Sequence, residues 1–196
     1  GTIIEDSLLD QNANNYLAAV VVAAEQSGLA YVDITTGEFA TSQFPTAHLA
    51  VELARLMPAE VLSPRDDADP PVEQGAVVTP LDADAFHLEW ATEALLKHFG
   101  VASLEAFGCQ GLPLAARAAG AIIVYLGGNQ KPALAQLTSL HTYSTESYMV
   151  LDPQTRRNLE LFEGGRWGDP KASLLSVLDT TRTSMGGRLL RRWLGQ

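Results

Sequence analysis

Three apolar segments near the start of the chain are separated by short polar turns, a pattern that predicts a β-meander. The segments cover residues 16–24, 29–34 and 38–44, and β-branched side chains are frequent in the first two. The turns at residues 26–28 (QSG) and 36–37 (TG) each contain a glycine, the residue that a hairpin uses where φ is positive. The pattern therefore predicts three antiparallel strands.

The next apolar positions predict a helix between buried strands. Leu49, Leu53 and Leu56 recur at helical spacing between a candidate N-cap at Thr46 and the breaker Pro58. Residues 59–62 (AEVL) and 77–79 have the composition of short buried strands, and a turn-rich acidic loop at residues 63–75 separates them. This order of elements predicts an α/β unit with a mixed sheet.

An amphipathic helix is predicted after the second of these strands. Asp82 or Asp84 offers an N-cap, the helix continues to His98, and Gly100 ends it. The side chains expected to face the core share helical spacing and low polarity, and they are Phe86, Trp90 and Ala94. One face of this helix should therefore remain in contact with solvent.

A second helix, at residues 111–126, is apolar on nearly all sides and should be buried. Its length and Arg117 argue against a membrane span. Gly127 and Gly128 end it, and a domain boundary is predicted at about residue 130. The core of the first domain should then contain apolar residues from both the meander and the helices, namely Tyr16, Val20, Val32, Ile34, Phe39, Leu53, Ile122 and Val124.

Residues 131–196 predict a small all-α unit. Asp152 and Pro153 offer a helix start, Leu159 and Phe162 are expected to face inward, and two glycines at residues 164–165 end this helix. A short helix follows at residues 173–178. The final helix has its arginines on one side and an apolar arc on the other, formed by Met185, Leu189, Leu190, Trp193 and Leu194.

The ends of the chain favour an excised piece of a larger protein. The apolar arc of the last helix needs a partner, and Leu189, Trp193 and Leu194 are expected to be partly exposed without one. At the other end the chain begins with Gly1, without an initiator methionine.

The charge of the chain is unevenly distributed. The net charge is −10 over 196 residues, but residues 1–150 carry 5 Lys and Arg against 18 Asp and Glu, whereas residues 151–196 carry 8 against 5. An acidic surface repels phosphate, so the first part is not expected to bind nucleic acid through its own field. The basic end leaves DNA binding open through Arg156, Arg157, Arg188, Arg191 and Arg192.

Candidate chemistry is sparse. The single cysteine, Cys109, is interpreted as a buried structural thiol, and the four dispersed histidines predict no metal site. Asp33 interrupts an apolar strand beside a hairpin, where nucleases of the ribonuclease-H-like type hold Mg²⁺; Glu38 and Glu60 are its candidate partners. The alternative interpretation is an aspartate that caps the turn through Thr35 or Gly37. No phosphate-binding P-loop motif and no G-x-S-x-G motif is present, so no catalytic residue is assigned.

Several motifs resemble the MutS family of DNA mismatch-recognition ATPases. Residues 155–161 (TRRNLEL), 174–181 (LLSVLDTT) and 185–194 (MGGRLLRRWL) are similar to the start of the MutS core, or lever, domain. Residues 8–20 (LLDQNANNYLAAV) and 28–39 (GLAYVDITTGEF) are similar to the MutS connector domain. The resemblance implies a ribonuclease-H-like connector at residues 1–130, with a mixed sheet and flanking helices, and the N-terminal part of the helical core at residues 131–196.

The resemblance also implies a function and a set of partners. The connector would join the mismatch-reading domain to the levers and the ATPase, without catalysis of its own, and would offer a docking surface to MutL. The exposed positions of the matching helix are His87, Glu93 and Lys97. The parent would bind mismatched DNA, ATP and Mg²⁺ as a homodimer in the cytoplasm, while no cofactor and no membrane contact is expected for the fragment. A Mg²⁺-dependent nuclease that uses Asp33 remains the alternative.

Overall fold

The computed structural model describes residues 15–67, 69–72, 76–145, 151, 153–165 and 168–195. Within these ranges the strands are β1 (Tyr16–Ala23), β2 (Gln26–Asp33), β3 (Glu38–Pro45), β4 (Glu60–Pro64), β5 (Val77–Leu81) and β6 (His141–Thr142). The helices are α1 (Leu49–Leu56), α2 (Leu88–Phe99), α3 (Pro113–Asn129), α4 (Lys131–Leu134), α5 (Pro153–Asn158), α6 (Leu174–Leu178) and α7 (Ser184–Gly195). The predicted helix start at Asp152 and the motif residues 8–14 lie outside the described residues.

The six strands form one mixed sheet in the order β5-β4-β1-β2-β3-β6. Strands β1, β2 and β3 are antiparallel neighbours, which confirms the predicted meander. Strand β4 lies parallel to β1, β5 lies parallel to β4, and the two-residue strand β6 lies parallel to β3. The sequence did not predict β6, because a two-residue strand has no periodicity. No helix in the described part of the chain has the length and apolar character needed to cross a bilayer.

The first hairpin turn differs from the prediction. It lies at Ala24 and Glu25, where Ala24 has φ 52°, so Gly28 is not part of the turn. Gly28 lies inside β2, where an added Cβ would overlap the backbone carbonyl of Leu114 on α3. The glycine is therefore needed for a close approach between strand and helix and not for a turn. The second prediction is confirmed, because Gly37 has φ 74° between β2 and β3.

Both faces of the sheet are covered by helices. Leu17, Ala19 and Val21 of β1 face the cluster that contains α3 and α2. The alternating residues of the same strand face the cluster that contains α1. Tyr16, Val20, Val32, Phe39, Leu53 and Ile122 are buried as predicted. Since both faces are covered, β1 is apolar at every position and β2 is apolar at residues 29–32, without alternation with polar residues.

Helix α1 begins later than predicted. Residues Thr46–His48 form a 3₁₀ turn, and α1 starts at Leu49. The Thr46 hydroxyl makes no cap bond, because it accepts a hydrogen bond from Ser27 Oγ at 2.9 Å and lies 3.4 Å from the Ala24 carbonyl. The prediction of an N-cap at Thr46 was therefore wrong. The buried stripe of leucines on α1 is confirmed.

Helix α3 is buried as predicted but extends to Asn129, beyond the expected end. Gln43 on β3 caps its first turn, because the Gln43 Oε1 accepts a hydrogen bond from the Leu114 amide at 2.9 Å. Val124 was expected in the core but is 44% exposed. It lies on the narrow strip of α3 that neither the sheet nor α2 covers, so the general apolar character of the helix does not reveal its position.

Helix α2 corrects two predictions. The residues before it, Ala83–Phe86, form a 3₁₀ turn in which neither Asp82 nor Asp84 makes a side-chain cap bond. Trp90 was expected in the core but is 54% exposed, since the face toward α3 is formed by the small residue Ala91 against Gly120. A large ring does not fit where the two helices lie this close. Gly100 ends the helix in the left-handed conformation, as predicted.

The C-terminal helices depart from the predicted pattern at α5. This helix ends at Asn158, and Glu160 with φ 49° turns the chain. The turn shifts the inward stripe, so that Leu159 is 51% exposed and Leu161 is buried instead. On α7, Leu189 is 43% and Trp193 is 65% exposed, as predicted, and Leu194 is half-buried.

Candidate interaction surfaces

The turn between β2 and β3 is organised by Asp33, which is 1% exposed. Its Oδ1 accepts hydrogen bonds from the Thr35 amide at 2.9 Å and from the Thr35 hydroxyl at 2.5 Å. The backbone carbonyl of Asp33 accepts the Gly37 amide at 2.9 Å. The turn-capping interpretation of Asp33 is confirmed, and the aspartate is a local structural residue of the hairpin.

The three carboxylates proposed as metal ligands do not converge. In the strand register, Asp33 lies opposite Glu38 on β3 and opposite Tyr16 on β1. Tyr16 faces the α1 side of the sheet, so Asp33 and Glu38 lie on that side as well. Glu60 lies opposite Leu17 in the register of β4 and β1, and Leu17 faces the α3 side, so Glu60 lies on the other side of the sheet. Among the residues that the structure describes, no group of three or more His, Cys, Asp and Glu side chains could hold a metal ion.

Glu60 is instead part of a buried hydrogen-bond network. Its Oε1 accepts a hydrogen bond from the Tyr125 hydroxyl at 2.8 Å and from the Thr79 hydroxyl at 2.6 Å. Burial, and secondly the hydrogen bond to Glu60, raises the pKa of Tyr125. The network joins β4, β5 and α3, so its role is to hold the sheet and the helix together.

Cys109 has no feature of a reactive thiol. It is 1% exposed, and burial raises the pKa of its thiol. The thiolate, which is the reactive form, is therefore disfavoured. The structural interpretation of this residue is confirmed.

The outer face of α2, together with His87 directly before the helix, carries the residues predicted for partner binding. His87, Glu93 and Lys97 are all exposed. The sequence missed the apolar part of this face, where Trp90 is 54% exposed and its ring lies 5.8 Å from the His87 ring. An exposed tryptophan among charged residues is typical of a protein-binding surface. In the sequence, the exposure of Trp90 could have been inferred from its position directly before Ala91, the small residue that packs on α3.

The five predicted DNA-proximal arginines fall into three environments. Arg188 donates a hydrogen bond to the Thr35 hydroxyl, and the Arg192 Nη1 lies 3.4 Å from the Glu38 Oε2. The guanidinium groups of Arg156 and Arg191 lie 5.5 Å and 4.8 Å from the centre of the Phe162 ring. Arg157 is exposed on α5. Four of the five therefore contact protein groups, and their DNA proximity stays a prediction.

A cavity of about 240 Å³ lies beside these contacts, between the sheet and the C-terminal helices. Tyr31 donates a hydrogen bond to Glu38 at 3.2 Å, and Tyr143 donates one to Glu52 at 3.1 Å. Arg55 forms an ion pair with Glu52 at 2.9 Å. Burial, and secondly Glu38, raises the pKa of Tyr31. Glu38 on the sheet and Glu52 and Arg55 on α1 therefore each have a polar partner beside the cavity.

These features define the class of the molecule: a mixed α/β domain with an exposed helix face, joined to a helical segment by polar contacts. Comparison with known proteins agrees with this division. The family model of MutS domain II matches residues 15–138, and that of MutS domain III matches residues 154–196. The chain belongs to the MutS family.

Full-length relatives give the same result. The DNA mismatch repair protein MutS of Dehalococcoides mccartyi (strain BAV1) is 43% identical over 100% of this chain, which covers 23% of that protein. MutS of Thermosynechococcus vestitus is 44% identical and MutS of Synechococcus elongatus (strain PCC 7942) is 46% identical, each over 100% of the chain and 24% of the relative. The chain therefore spans about a quarter of the length of these relatives.

Proposed function

We propose that this chain is a non-catalytic connector and core segment of a MutS-type mismatch-recognition ATPase. It links the mismatch-reading domain to the levers and the ATPase, and the outer face of α2 is a docking surface for MutL. The observation that carries the docking surface is the exposure of Trp90 among His87, Glu93 and Lys97. The acidic charge of residues 1–150 favours contacts with protein over contacts with DNA.

We infer that the first domain has a ribonuclease-H-like fold. The support is the strand order: three antiparallel strands, β3-β2-β1, continue into the parallel strands β4 and β5. The domain boundary at about residue 130 also stays a prediction, and strand β6 adds residues 141–142 to the edge of the sheet. In the parent protein, ATP, Mg²⁺, mismatched DNA, homodimerisation and a cytoplasmic location belong to this same proposal.

The docking surface predicts the effect of substitutions on α2. We expect Trp90→Ala to weaken binding of the chain to the ATPase domain of a MutL by about tenfold or more, because an exposed aromatic side chain that the partner would bury is lost. Reversal of charge by Glu93→Lys or Lys97→Glu should weaken binding by a smaller factor. Biolayer interferometry at moderate salt measures these affinities.

Glu25→Lys is the matched control, since Glu25 is exposed at the β1–β2 turn and the change in charge is the same as for Glu93→Lys. Its affinity should equal that of the unchanged chain. If all three α2 variants bind MutL as the unchanged chain does, α2 is not the docking surface. If the folded chain does not bind at all, only the linking role is left.

The nuclease alternative predicts that Asp33 is a metal ligand needed for cleavage of nucleic acid, whereas the non-catalytic proposal predicts no cleavage. The buried Oδ2 of Asp33 has no hydrogen-bond partner, which is the one feature that favours a missing ligand there. We expect no cleavage of plasmid or oligonucleotide with Mg²⁺ or Mn²⁺, because Glu60 faces the other side of the sheet. Cleavage that is abolished by Asp33→Asn would overturn the non-catalytic proposal.

A further inference from the structure

The β2–β3 turn and helix α7 meet through two polar contacts one helical turn apart. Arg188 donates a hydrogen bond to the Thr35 hydroxyl, and Arg192 forms an ion pair with Glu38 at 3.4 Å. Residues four apart lie on the same face of a helix, so both arginines reach the turn from one side of α7. We propose that residues 33–38 form a docking site for α7 and that the two contacts, Arg188 with Thr35 and Arg192 with Glu38, are a reversible polar latch between the two domains. Asp33 is the positioning residue of this latch.

Asp33 positions the latch by orienting a hydroxyl group. A threonine hydroxyl has one hydrogen to donate and lone pairs to accept with. The Thr35 hydroxyl donates to Asp33 Oδ1 at 2.5 Å, and the same carboxylate oxygen accepts the Thr35 amide at 2.9 Å. The hydrogen is therefore committed to the buried aspartate, and the oxygen is left to accept from Arg188.

The second acceptor is held in the same manner. The Tyr31 hydroxyl donates to Glu38 Oε1 at 3.2 Å, while Arg192 approaches Glu38 Oε2. Tyr31 is buried against Tyr16, with ring centres 5.0 Å apart, so this donor is fixed by packing. Both acceptors on the sheet side are thus in place before α7 docks, which reduces the entropy lost when the contact forms.

The latch is reversible because apolar burial contributes little to it. On α7, Met185, Leu189 and Trp193 are 59%, 43% and 65% exposed, and Leu190 and Leu194 are half-buried. The side chains of the ion pair keep 41% and 17% exposure, so salt screens the attraction. An exposed ion pair shifts an equilibrium by about two- to fivefold, and two such contacts hold α7 without locking it.

This inference deepens the proposed linking role. The contact itself is independent of that role, and only its consequence in the parent protein rests on it. With the latch closed, the direction of α7 is set relative to the sheet. With the latch open, both domains stay folded and α7 is free to move relative to the sheet, while α5 still contacts α1. The latch therefore names the residues through which the connector and the core hold or release one another.

The test is a distance measurement by pulsed electron paramagnetic resonance. Nitroxide labels are placed at Glu25→Cys on the β1–β2 turn and at Met185→Cys on α7, both of which are exposed, while the buried Cys109 stays unlabelled. We expect one dominant distance at about 50 mM salt and a broad second population that grows as salt is raised to about 500 mM. Thr35→Val and Arg192→Gln should each raise the open-to-closed ratio at low salt by about two- to fivefold.

Rescue variants separate positioning from folding. Thr35→Ser keeps the hydroxyl and should restore the closed distance, and the exchange Glu38→Arg with Arg192→Glu should restore it in part. Asp33→Ala should open the latch like Thr35→Val, with an unchanged circular dichroism spectrum of the sheet. Arg182→Gln, an exposed arginine outside α7, should leave the distances unchanged.

Two results would overturn the latch. One is a distance distribution that responds neither to salt nor to Thr35→Val and Arg192→Gln. The other is opening in these variants that neither Thr35→Ser nor the charge exchange reverses. A closed latch in a chain that fails to bind MutL would instead count against the α2 docking surface alone, so the two proposals fail separately.

Discussion

Replacement of Gly120 by alanine is expected to lower the free energy of unfolding by about 2–3 kcal/mol. Gly120 lies where α3 crosses α2, and an added Cβ would overlap the backbone and the Cβ of Ala91. Neither partner is the end of a flexible side chain, so the helices must move apart and leave their packed contact. Chemical denaturation followed by circular dichroism measures the change.

Gly128→Ala is the matched control in the same helix. Gly128 is exposed, and nothing lies within 4 Å of an added Cβ. Because alanine has the higher helix propensity, this variant should be as stable as the unchanged chain or more stable, by up to about 1 kcal/mol. Equal stability of the two variants would contradict the close contact between α2 and α3.

The second expected result is a steep loss of stability at alkaline pH. Burial raises the pKa of Tyr16, Tyr31 and Tyr125 above their ordinary value of 10.0. Nearby acidic groups add to this effect: Glu38 raises the pKa of Tyr16 and Tyr31, and Glu60 that of Tyr125. The unfolded chain loses these protons at a lower pH than the folded chain does. The contribution of these protonated tyrosines to the free energy of unfolding is therefore fully present below about pH 10. It is lost as pH rises from there toward the raised pKa values, by up to about 1.4 kcal/mol per pH unit for each tyrosine.

Unfolding curves at several pH values, with tyrosinate absorbance measured in parallel, test this expectation. The absorbance of the buried tyrosines should appear only as the protein unfolds. Tyr16→Phe removes one of the titrating groups and should reduce the slope of stability against pH by about one proton. Tyrosinate absorbance that develops at about pH 10 in the folded chain would show that these hydroxyls are accessible and would contradict the prediction.

Local sequence signals were sufficient for most of the regular elements. The meander, the leucine stripe of α1, the Ala-rich α3 and the glycine that ends α2 follow from side-chain periodicity and from the conformational needs of glycine. These signals depend on residues close together in the chain, and they can therefore be read from a single sequence. The turn-capping role of Asp33 belongs to the same group, because its partner is two residues away.

The errors occurred where a distant element decides the environment. Trp90 and Val124 were placed in the core because their helices are apolar, yet which strip of a helix is covered depends on the neighbouring helix. The error at Leu159 has a local cause instead: α5 was assumed to continue, while the left-handed Glu160 ends its periodicity. Gly28 was assigned to a turn, although the carbonyl of Leu114, far along the chain, is what excludes a side chain there.

The interaction surfaces divide in the same way. The exposed positions of α2 could be named from helical periodicity, and the family resemblance could be stated from motifs. The two contacts of α7 with the β2–β3 turn join residues more than 150 positions apart, so no pattern in the sequence predicts them.

The sequence by itself determined the order of most strands and helices, the acidic and basic parts of the chain, and membership in the MutS family, because each of these depends on composition, local periodicity or motif. Only the tertiary structure decided that Asp33 and Glu60 face opposite sides of the sheet, that Trp90 lies outside the core, and that α7 meets the turn through Arg188 and Arg192. These features arise when distant segments pack together, and their geometry is not present in any one of those segments alone.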